Sequence, residues 1–243
     1  EGKTIILTGA RRIGQTVAEE LAKKGANLAI TYRNSKAESE ATCQACQALG
    51  VKVEPFMADL SKEEDIKKLV SEVKKKFGRI DGLVHMASPY PKTLFGEISM
   101  DQFDNVQRSI AGSATLLSQE VGLEIVKNKG EIKGKIIFFA DWSVLRVPFE
   151  DYIVYNQAKA GIIALTKTLA RQLAPGITVN AISPGPILRP PKLTEQENRE
   201  TLERTPLQRW GGAESIAQAV IFFLEDDFVT GVDLPVDGGR SIA

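Results

Sequence analysis

Histidine is nearly missing from this chain: His85 is the only one in 243 residues, and there are just two cysteines, Cys43 and Cys46. A structural or catalytic transition-metal site draws on three or four such ligands, so no metal is expected. The two cysteines form a CxxC inside Ala41–Ala48, a segment that reads as helix interior. They are expected to pack in the core or on the surface rather than to do redox chemistry. With no disulfide framework the chain suits a reducing compartment. No apolar run approaches the roughly 20 residues that span a bilayer. Glu1–Gly2–Lys3 leads straight into a strand-like run, unlike a signal peptide, so a cytoplasmic location is expected. Charge of one sign is lacking too. Lys and Arg number 31 against 31 Asp and Glu. That balance argues against nucleic acid or an anionic membrane as partner and leaves a small molecule. Repeats, low-complexity tracts and linkers are also absent, so residues 1–243 are expected to form one domain, with 43% hydrophobic residues to fill its core.

What the chain does have is a regular alternation of short apolar runs and amphipathic stretches. Thr4–Leu7 is a continuous apolar run of the kind a buried parallel strand gives. It enters Thr8–Gly9–Ala10–Arg11–Arg12–Ile13–Gly14, after which Val17, Ala18, Leu21 and Ala22 mark a helix. A strand, a glycine-bearing turn and a helix N-terminus together make a diphosphate cradle, with backbone N–H groups and the helix dipole facing the anion. Ala26–Thr31 is a second strand, ending at Tyr32–Arg33–Asn34–Ser35. An acid at that point would bind a ribose 2′-hydroxyl and favour NAD. Arg33 and Ser35, with Arg11 and Arg12 nearby, suit the 2′-phosphate of NADP instead. The bland alternative is ordinary solvated arginines, and the balance favours NADP.

A helix over Lys36–Leu49 leads to a strand over Val51–Met57 and on to Ala58–Asp59–Leu60. The next helix carries the stripe Ile66, Leu69, Val70 and Val73. A strand over Ile80–Ala87 runs into Ser88–Pro89–Tyr90–Pro91, and one long helix is expected from about Met100 to Lys127. Strands follow over Lys135–Ala140 and Ile177–Ile182, the latter entering Ser183–Pro184–Gly185–Pro186–Ile187. Thr194–Glu203 is polar with helical character and is placed as a lid. Helix Glu214–Leu224, a strand around Val232–Val236 and Asp237–Gly238–Gly239 close the chain. This alternation predicts an α/β fold: a doubly wound parallel sheet of the Rossmann type, with helices on both faces and right-handed crossovers. Ligands in such sheets bind beyond the carboxyl ends of the strands, which places Asp59, His85, Tyr90 and Asp141 on the functional edge.

The chemistry centres on Tyr155–Asn156–Gln157–Ala158–Lys159. Ile153, Ala158, Ile162, Ile163, Leu165 and Leu169 recur at helical spacing, so the stretch is a helix packed on the sheet. Positions four apart lie one above the other, so Tyr155 and Lys159 point into one site. An ammonium beside a phenol lowers the phenol's pKa from roughly 10 towards neutrality, which would equip Tyr155 as a general acid.

These landmarks resemble the short-chain dehydrogenase/reductase family along essentially the whole chain. The matching features are the Thr8–Gly9 turn, Asp59, Ala87, the Tyr155/Lys159 pair, Asn180, Pro184–Gly185 and the Asp237–Gly238–Gly239 ending. The resemblance implies about seven parallel strands, a nicotinamide cofactor and a homotetramer. It makes Tyr155 the proton donor, and Lys159 the group that tunes it and binds the nicotinamide ribose. Gly9, Ile13, Gly14, Asp59, Leu60, Ala87 and Ser88 would border the cofactor, with Pro184, Gly185 and Ile187 beside the nicotinamide.

The departures carry information. The first turn is one residue shorter than the family's usual glycine pattern. His85–Met86–Ala87–Ser88 stands for the usual Asn-Asn-Ala-Gly, and Ser109 or a neighbour for an active-site asparagine. The largest change is Asp141 in place of the catalytic serine, which resembles the pteridine reductase branch. In that likeness Asp141, Tyr155 and Lys159 form the catalytic set, Tyr90 stacks the substrate against the nicotinamide, and Trp142 lines the pocket. An ionised aspartate can only accept hydrogen bonds, and its charge would raise the Tyr155 pKa. It suits a ring rich in N–H donors, or else Asp141 is held protonated by burial and passes a proton to Tyr155. The expected function is therefore NADPH-dependent hydride transfer to C=N or C=O, with a pteridine or dihydrofolate-type substrate. The alternatives are a 3-oxoacyl thioester reductase in which Asp141 merely caps the loop at Ser143, and a non-catalytic NADP-sensing regulator.

Overall fold

A computed structural model describes residues 2–243. The strands are β1 (Thr4–Thr8), β2 (Asn27–Tyr32), β3 (Val53–Met57), β4 (Gly82–His85), β5 (Gly134–Phe139), β6 (Ile177–Pro184) and β7 (Asp233–Val236). All pair in parallel, in the order β3-β2-β1-β4-β5-β6-β7. The helices are α1 (Ile13–Lys23), α2 (Lys36–Gln47), α3 (Glu63–Phe77), α4 (Met100–Gln107), α5 (Ser113–Ile125), α6 (Ile153–Leu173), α7 (Glu195–Glu203) and α8 (Ala213–Glu225). The doubly wound sheet predicted from the alternation is present.

The central strands are buried on both faces, which is why they read as unbroken apolar runs. Successive side chains still point opposite ways. Ile6, Leu83, Ile136 and Phe138 join a core with α3, α5 and α6, while Ile5, Leu7, Val84 and Ile137 join another with α1, α2 and α8. Cys43 and Cys46 are part of the second core, where burial pushes their thiols up to about 11 and about 12. Helix α3 shows how local chemistry sets the limits of one element. Glu63, Glu64 and Asp65 sit at its positive end and Lys74, Lys75 and Lys76 at its negative end, and Gly78 at φ +80 stops it in the left-handed conformation. Its stripe of Ile66, Leu69, Val70 and Val73 is buried, each side chain contributing about 1.5–3 kcal/mol.

The structure corrects several boundaries. Strand β4 stops at His85 rather than Ala87, because the next two N–H groups, of Met86 and Ala87, both donate to the Thr8 hydroxyl at 3.0 Å. Strand β3 starts at Val53, since the Lys52 N–H is taken by the Asn27 side chain at 2.9 Å. Helix α2 ends at Gln47, where three-residue turns close with Leu49 and Gly50 donating to Cys46 and Gln47. The helix expected from Met100 to Lys127 is interrupted by a π-helical turn over Arg108–Gly112 and ends at Ile125. At that turn the Ser113 hydroxyl donates to the carbonyls of Ser109 and Ile110, at 2.9 and 3.0 Å, and so competes with the regular ladder. A π-turn of this kind often marks a functional site, and this one brings Ser109 to the wall of a cleft.

Candidate active site

The strand order reverses between β1 and β4, leaving a crevice at their carboxyl ends. Two clefts of 420 and 430 Å³ lie there and share Gly9 and Arg11, so together they form one elongated groove across the sheet edge. The far end is lined by Tyr32, Arg33, Asn34, Ser35, Asp59 and Leu60, with Ala87 and Ser88 on its opposite wall. Arg33 meets Asp59 at 3.6 Å and Arg11 meets Glu38 at 3.3 Å, both at the solvent boundary. Asp59 also accepts from the Ser61 N–H and hydroxyl, and these bonds with the Arg33 charge hold its carboxyl below the usual range against the opposing cost of burial. It therefore shapes the loop after β3 rather than capping α3, whose N-cap is Lys62.

In the middle of the groove the backbone itself is the lining. Gly9 has φ +79, and a Cβ on it would lie 2.9 Å from the Ala87 nitrogen; one on Gly14 would lie 2.0 Å from the Gly9 carbonyl oxygen. Only glycine fits at either position, and the space so cleared faces the N-terminus of α1. The shortened turn is accommodated at Arg12, which takes φ +54 and ψ −108, a conformation that costs of order 1–3 kcal/mol. Arg12, Ile13 and Gly14 continue the lining toward the other end. A groove of this length with a side-chain-free cradle at a helix N-terminus fits a dinucleotide.

The other end of the groove is walled by Asp141, Tyr155, Lys159, Pro184, Gly185 and Ile187. The Tyr155 hydroxyl donates to Asp141 Oδ2 at 2.8 Å. Asp141 Oδ1 accepts from the Ser143 N–H at 3.0 Å and from its hydroxyl at 2.8 Å. The aspartate thus does both things considered for it: it caps the turn after β5 and holds the phenol. Lys159 Nζ lies 5.8 Å from the Tyr155 ring centre and donates to the Phe139 carbonyl at 2.7 Å. Burial lowers the Lys159 pKa to about 8, partly opposed by the Asp141 charge. The expectation that Lys159 brings the phenol down towards neutrality is corrected. Burial first, then the Asp141 charge and hydrogen bond, push the Tyr155 phenol up. Tyr155 is therefore a protonated phenol, the form a proton donor needs. A bound dihydronicotinamide would supply the hydride. The chain's part is to hold that proton at the Tyr155 oxygen, beside the charge of Lys159 and the acceptor of Asp141.

His85 is buried and lies between the Thr8 hydroxyl, 2.9 Å from Nδ1, and the Ser113 hydroxyl, 3.2 Å from Nε2. Burial and the nearby Lys159 charge lower its pKa to about 3, so it is a neutral tie between β1, β4 and α5. Tyr90 does not stand off to form an open slot. Its ring stacks on Tyr152 at 4.2 Å and meets the Tyr155 ring edge-on at 4.7 Å. Trp142 turns from Asp141 to pack on Phe149 at 5.7 Å and under Arg240 at 5.3 Å. Sequence reasoning passed over Trp210, Pro190, Leu188 and Met86, which line the groove, and Arg240, which lies over Trp142. Met86 and Leu188 adjoin the strand-end motifs at Ala87 and Ile187, whereas Trp210, Pro190 and Arg240 belong to no local pattern and only the fold brings them here. Trp210 also donates to Asn198 of α7 at 2.9 Å, and α7 itself is closed by a capping box between Thr194 and Glu197.

Sheet, cradle and the tyrosine–lysine pair define a dinucleotide-binding α/β protein equipped for proton transfer. A family model described as "Enoyl-(Acyl carrier protein) reductase" matches residues 9–241. The chain is 33% identical over 243 residues to a 3-oxoacyl-[acyl-carrier-protein] reductase FabG of Staphylococcus epidermidis, covering 98% of each. It is 31% identical over 250 residues to an L-rhamnose 1-dehydrogenase (NADP(+)) of Thermoplasma acidophilum, covering 100% of this chain and 97% of that one. A short-chain dehydrogenase/reductase from Serratia marcescens superposes with a TM-score of 0.91 at 31% identity, covering 99% and 98% of the two chains. A short chain dehydrogenase from Burkholderia cenocepacia in complex with NADP gives 0.90 at 28% identity, covering 99% and 98%. The chain belongs to the short-chain dehydrogenase/reductase family and is an oxidoreductase. Among the described residues no helix is long and apolar enough to cross a membrane.

Proposed function

We propose that the protein is an NADPH-dependent reductase that transfers hydride to a C=N or C=O bond of a pteridine or dihydrofolate-type ring. Tyr155 is the proton donor, and Asp141 and Lys159 are its partners. The observation that carries this reading is the 2.8 Å hydrogen bond from the Tyr155 hydroxyl to Asp141 Oδ2 at the mouth of the groove. A carboxylate offers a ketone oxygen no donor, whereas it accepts well from ring and amino N–H groups. NADPH is supported by the Arg11, Arg33 and Ser35 lining of the far end, which suits a 2′-phosphate. Gly9, Arg12, Ile13 and Gly14 would then border the diphosphate, Asp59, Leu60, Ala87 and Ser88 the adenosine side, and Pro184, Gly185 and Ile187 the nicotinamide. Tyr90 and Trp142 would contact substrate once Tyr90 lifts from Tyr152. The reading includes a single domain over 1–243, cytoplasmic and homotetrameric. The open edge of β7, flanked by the exposed Phe228 and Val232, supports association, which light scattering would test.

A second reading, reduction of a 3-oxoacyl thioester, is favoured by the similarity to the FabG enzymes and by the closed position of Tyr90, which leaves no flat slot. NADPH oxidation with dihydrobiopterin, dihydrofolate and an acetoacetyl thioester separates the two, with Asp141→Ser run beside the wild type. Turnover confined to the pterins and lost in Asp141→Ser is the expected result. Thioester turnover that survives or improves in Asp141→Ser would replace the first reading with the second.

A further inference from the structure

A row of aromatic rings leads from the reacting phenol to the rim of the site. Tyr155 meets Tyr90 at 4.7 Å, Tyr90 meets Phe149 at 6.3 Å, and Phe149 meets Trp142 at 5.7 Å. At the end of the row the Arg240 guanidinium lies over the Trp142 ring at 5.3 Å. Arg240 is only partly exposed, and burial together with the neighbouring Arg204 charge lowers its pKa. Among the described residues neither arginine has a carboxylate oxygen within 4.0 Å. Asp237, the nearest acid along the chain, spends its oxygens on the N–H groups of Gly239 and Ser241, at 2.9 and 2.7 Å. Among the described residues the one acceptor of Arg240 is the Thr201 carbonyl of helix α7, at a long 3.4 Å.

A guanidinium lying half-buried on an aromatic ring, with no carboxylate partner and one long backbone bond, is an arrangement that an anionic ligand would complete. The aromatic row sets where that anion sits relative to the chemistry. We propose that Arg240 is an anion subsite that reads a carboxylate or phosphate at the end of the substrate remote from the reduced bond, with the intervening part lying along Phe149 and Trp142. This rests on the reductase reading above and narrows its substrate class. A free pterin head would leave the subsite empty, whereas a pterin with a carboxylate-bearing tail would fill it, as would an acyl thioester whose carrier arm ends in a phosphate. Arg240 touches neither the reacting atoms nor the cofactor groove, so it is a specificity residue, not a catalytic one.

The test uses pairs of substrates that differ in the remote charge: dihydrofolate against dihydrobiopterin, and acetoacetyl-CoA against the acetoacetyl thioester of N-acetylcysteamine. Arg240→Gln is expected to raise KM for the charged member about tenfold more than for the neutral member, the size of one lost charge-assisted hydrogen bond. Arg240→Lys is expected to restore part of the difference. The pair that responds tells whether the anion is a carboxylate or a phosphate. An equal KM rise for both members would reduce Arg240 to a tether for α7 and overturn the proposal. Direct titration of p-aminobenzoyl-glutamate and of CoA, followed by tryptophan fluorescence, separates this from failure of the reductase reading. Binding lost in Arg240→Gln, with no pterin or thioester turned over, would keep the subsite and reject the reaction. Turnover without any preference for charged members would do the reverse.

Discussion

At the far end of the groove Arg11 and Arg33 keep 62% and 59% of their side-chain surface and meet acids at 3.3 and 3.6 Å. At the reacting end Tyr155 and Lys159 are buried, with 5% and 4% of the whole residue exposed, and their partners lie at 2.8 and 2.7 Å. Charges at the first end are wet, paired loosely and screened by salt, so each pair contributes little. Those at the second end are dry, and a single carboxylate shifts its neighbours' protonation. In the proposed reading one end would select the cofactor through contacts that are easily rearranged. The other fixes a proton through contacts that are not.

Removing the proton at the dry end should have the largest effect. Tyr155→Phe deletes the donor and keeps the ring, so kcat for reduction is expected to fall by about 10²–10⁴, as removal of a general acid does. Stopped-flow absorbance of NADPH in a single turnover checks it, and a loss under tenfold would mean that another group supplies the proton. A smaller effect comes from pH. The Lys159 pKa is lowered from 10.5 to about 8, so kcat is expected to decline as pH rises through about 8 and the ammonium beside Tyr155 is lost. Stability moves the other way. Between about 8 and 10.5 the unfolded chain holds a proton that the folded chain has released, so this group's contribution to stability rises with pH across that window. Denaturation in urea at several pH values reads it, and Lys159→Met should flatten both profiles.

The difference between the two ends also governs how much was legible. Backbone-built features left strong local traces. The Thr8–Gly14 turn, the apolar β1 and the helical stripe of α3 each follow from periodicity or from a steric demand that one residue type meets. Asp141, Tyr155 and Lys159 were legible as a set because strand end and helix spacing put them on one edge. The sign of the Tyr155 shift was not, since it depends on how far burial and Asp141 outweigh a lysine that turns to the Phe139 carbonyl. Nor was the break in the helix after Met100, which turns on one serine hydroxyl competing for backbone carbonyls and leaves no mark on the apolar period. Trp210 and Arg240 come from separate segments and meet the site only through tertiary packing.

At the wet end the expected effect is more modest. Arg33→Ala should raise KM for NADPH about tenfold and leave KM for NADH nearly unchanged, because only the 2′-phosphate loses a charge-assisted bond. The ratio should shrink as salt is added, which an effect at the dry end would not do. Equal changes for both cofactors would mean that Arg33 acts through its pair with Asp59, and would erase the distinction between the two ends.

The smallest expected signal is a null one, and it tests how dry the reacting end is. His85 is the chain's sole histidine, so its ring protons are assignable in the NMR spectrum without mutation. Its pKa is lowered from 6.5 to about 3 by burial, with the Lys159 charge adding to the shift, so its C2–H resonance is expected not to move between pH 8 and 5. The cost appears in folding instead. Below 6.5 the unfolded chain takes a proton that the folded chain refuses, so stability is full above that pH and falls by about 1.4 kcal/mol per pH unit on acidification toward 3. His85→Gln, which can still bridge Thr8 and Ser113, should remove that slope while keeping the fold. A resonance that titrates near 6.5 would mean water reaches the base of the site, and the depressed Lys159 pKa would then fail with it, because both shifts have burial as their first cause.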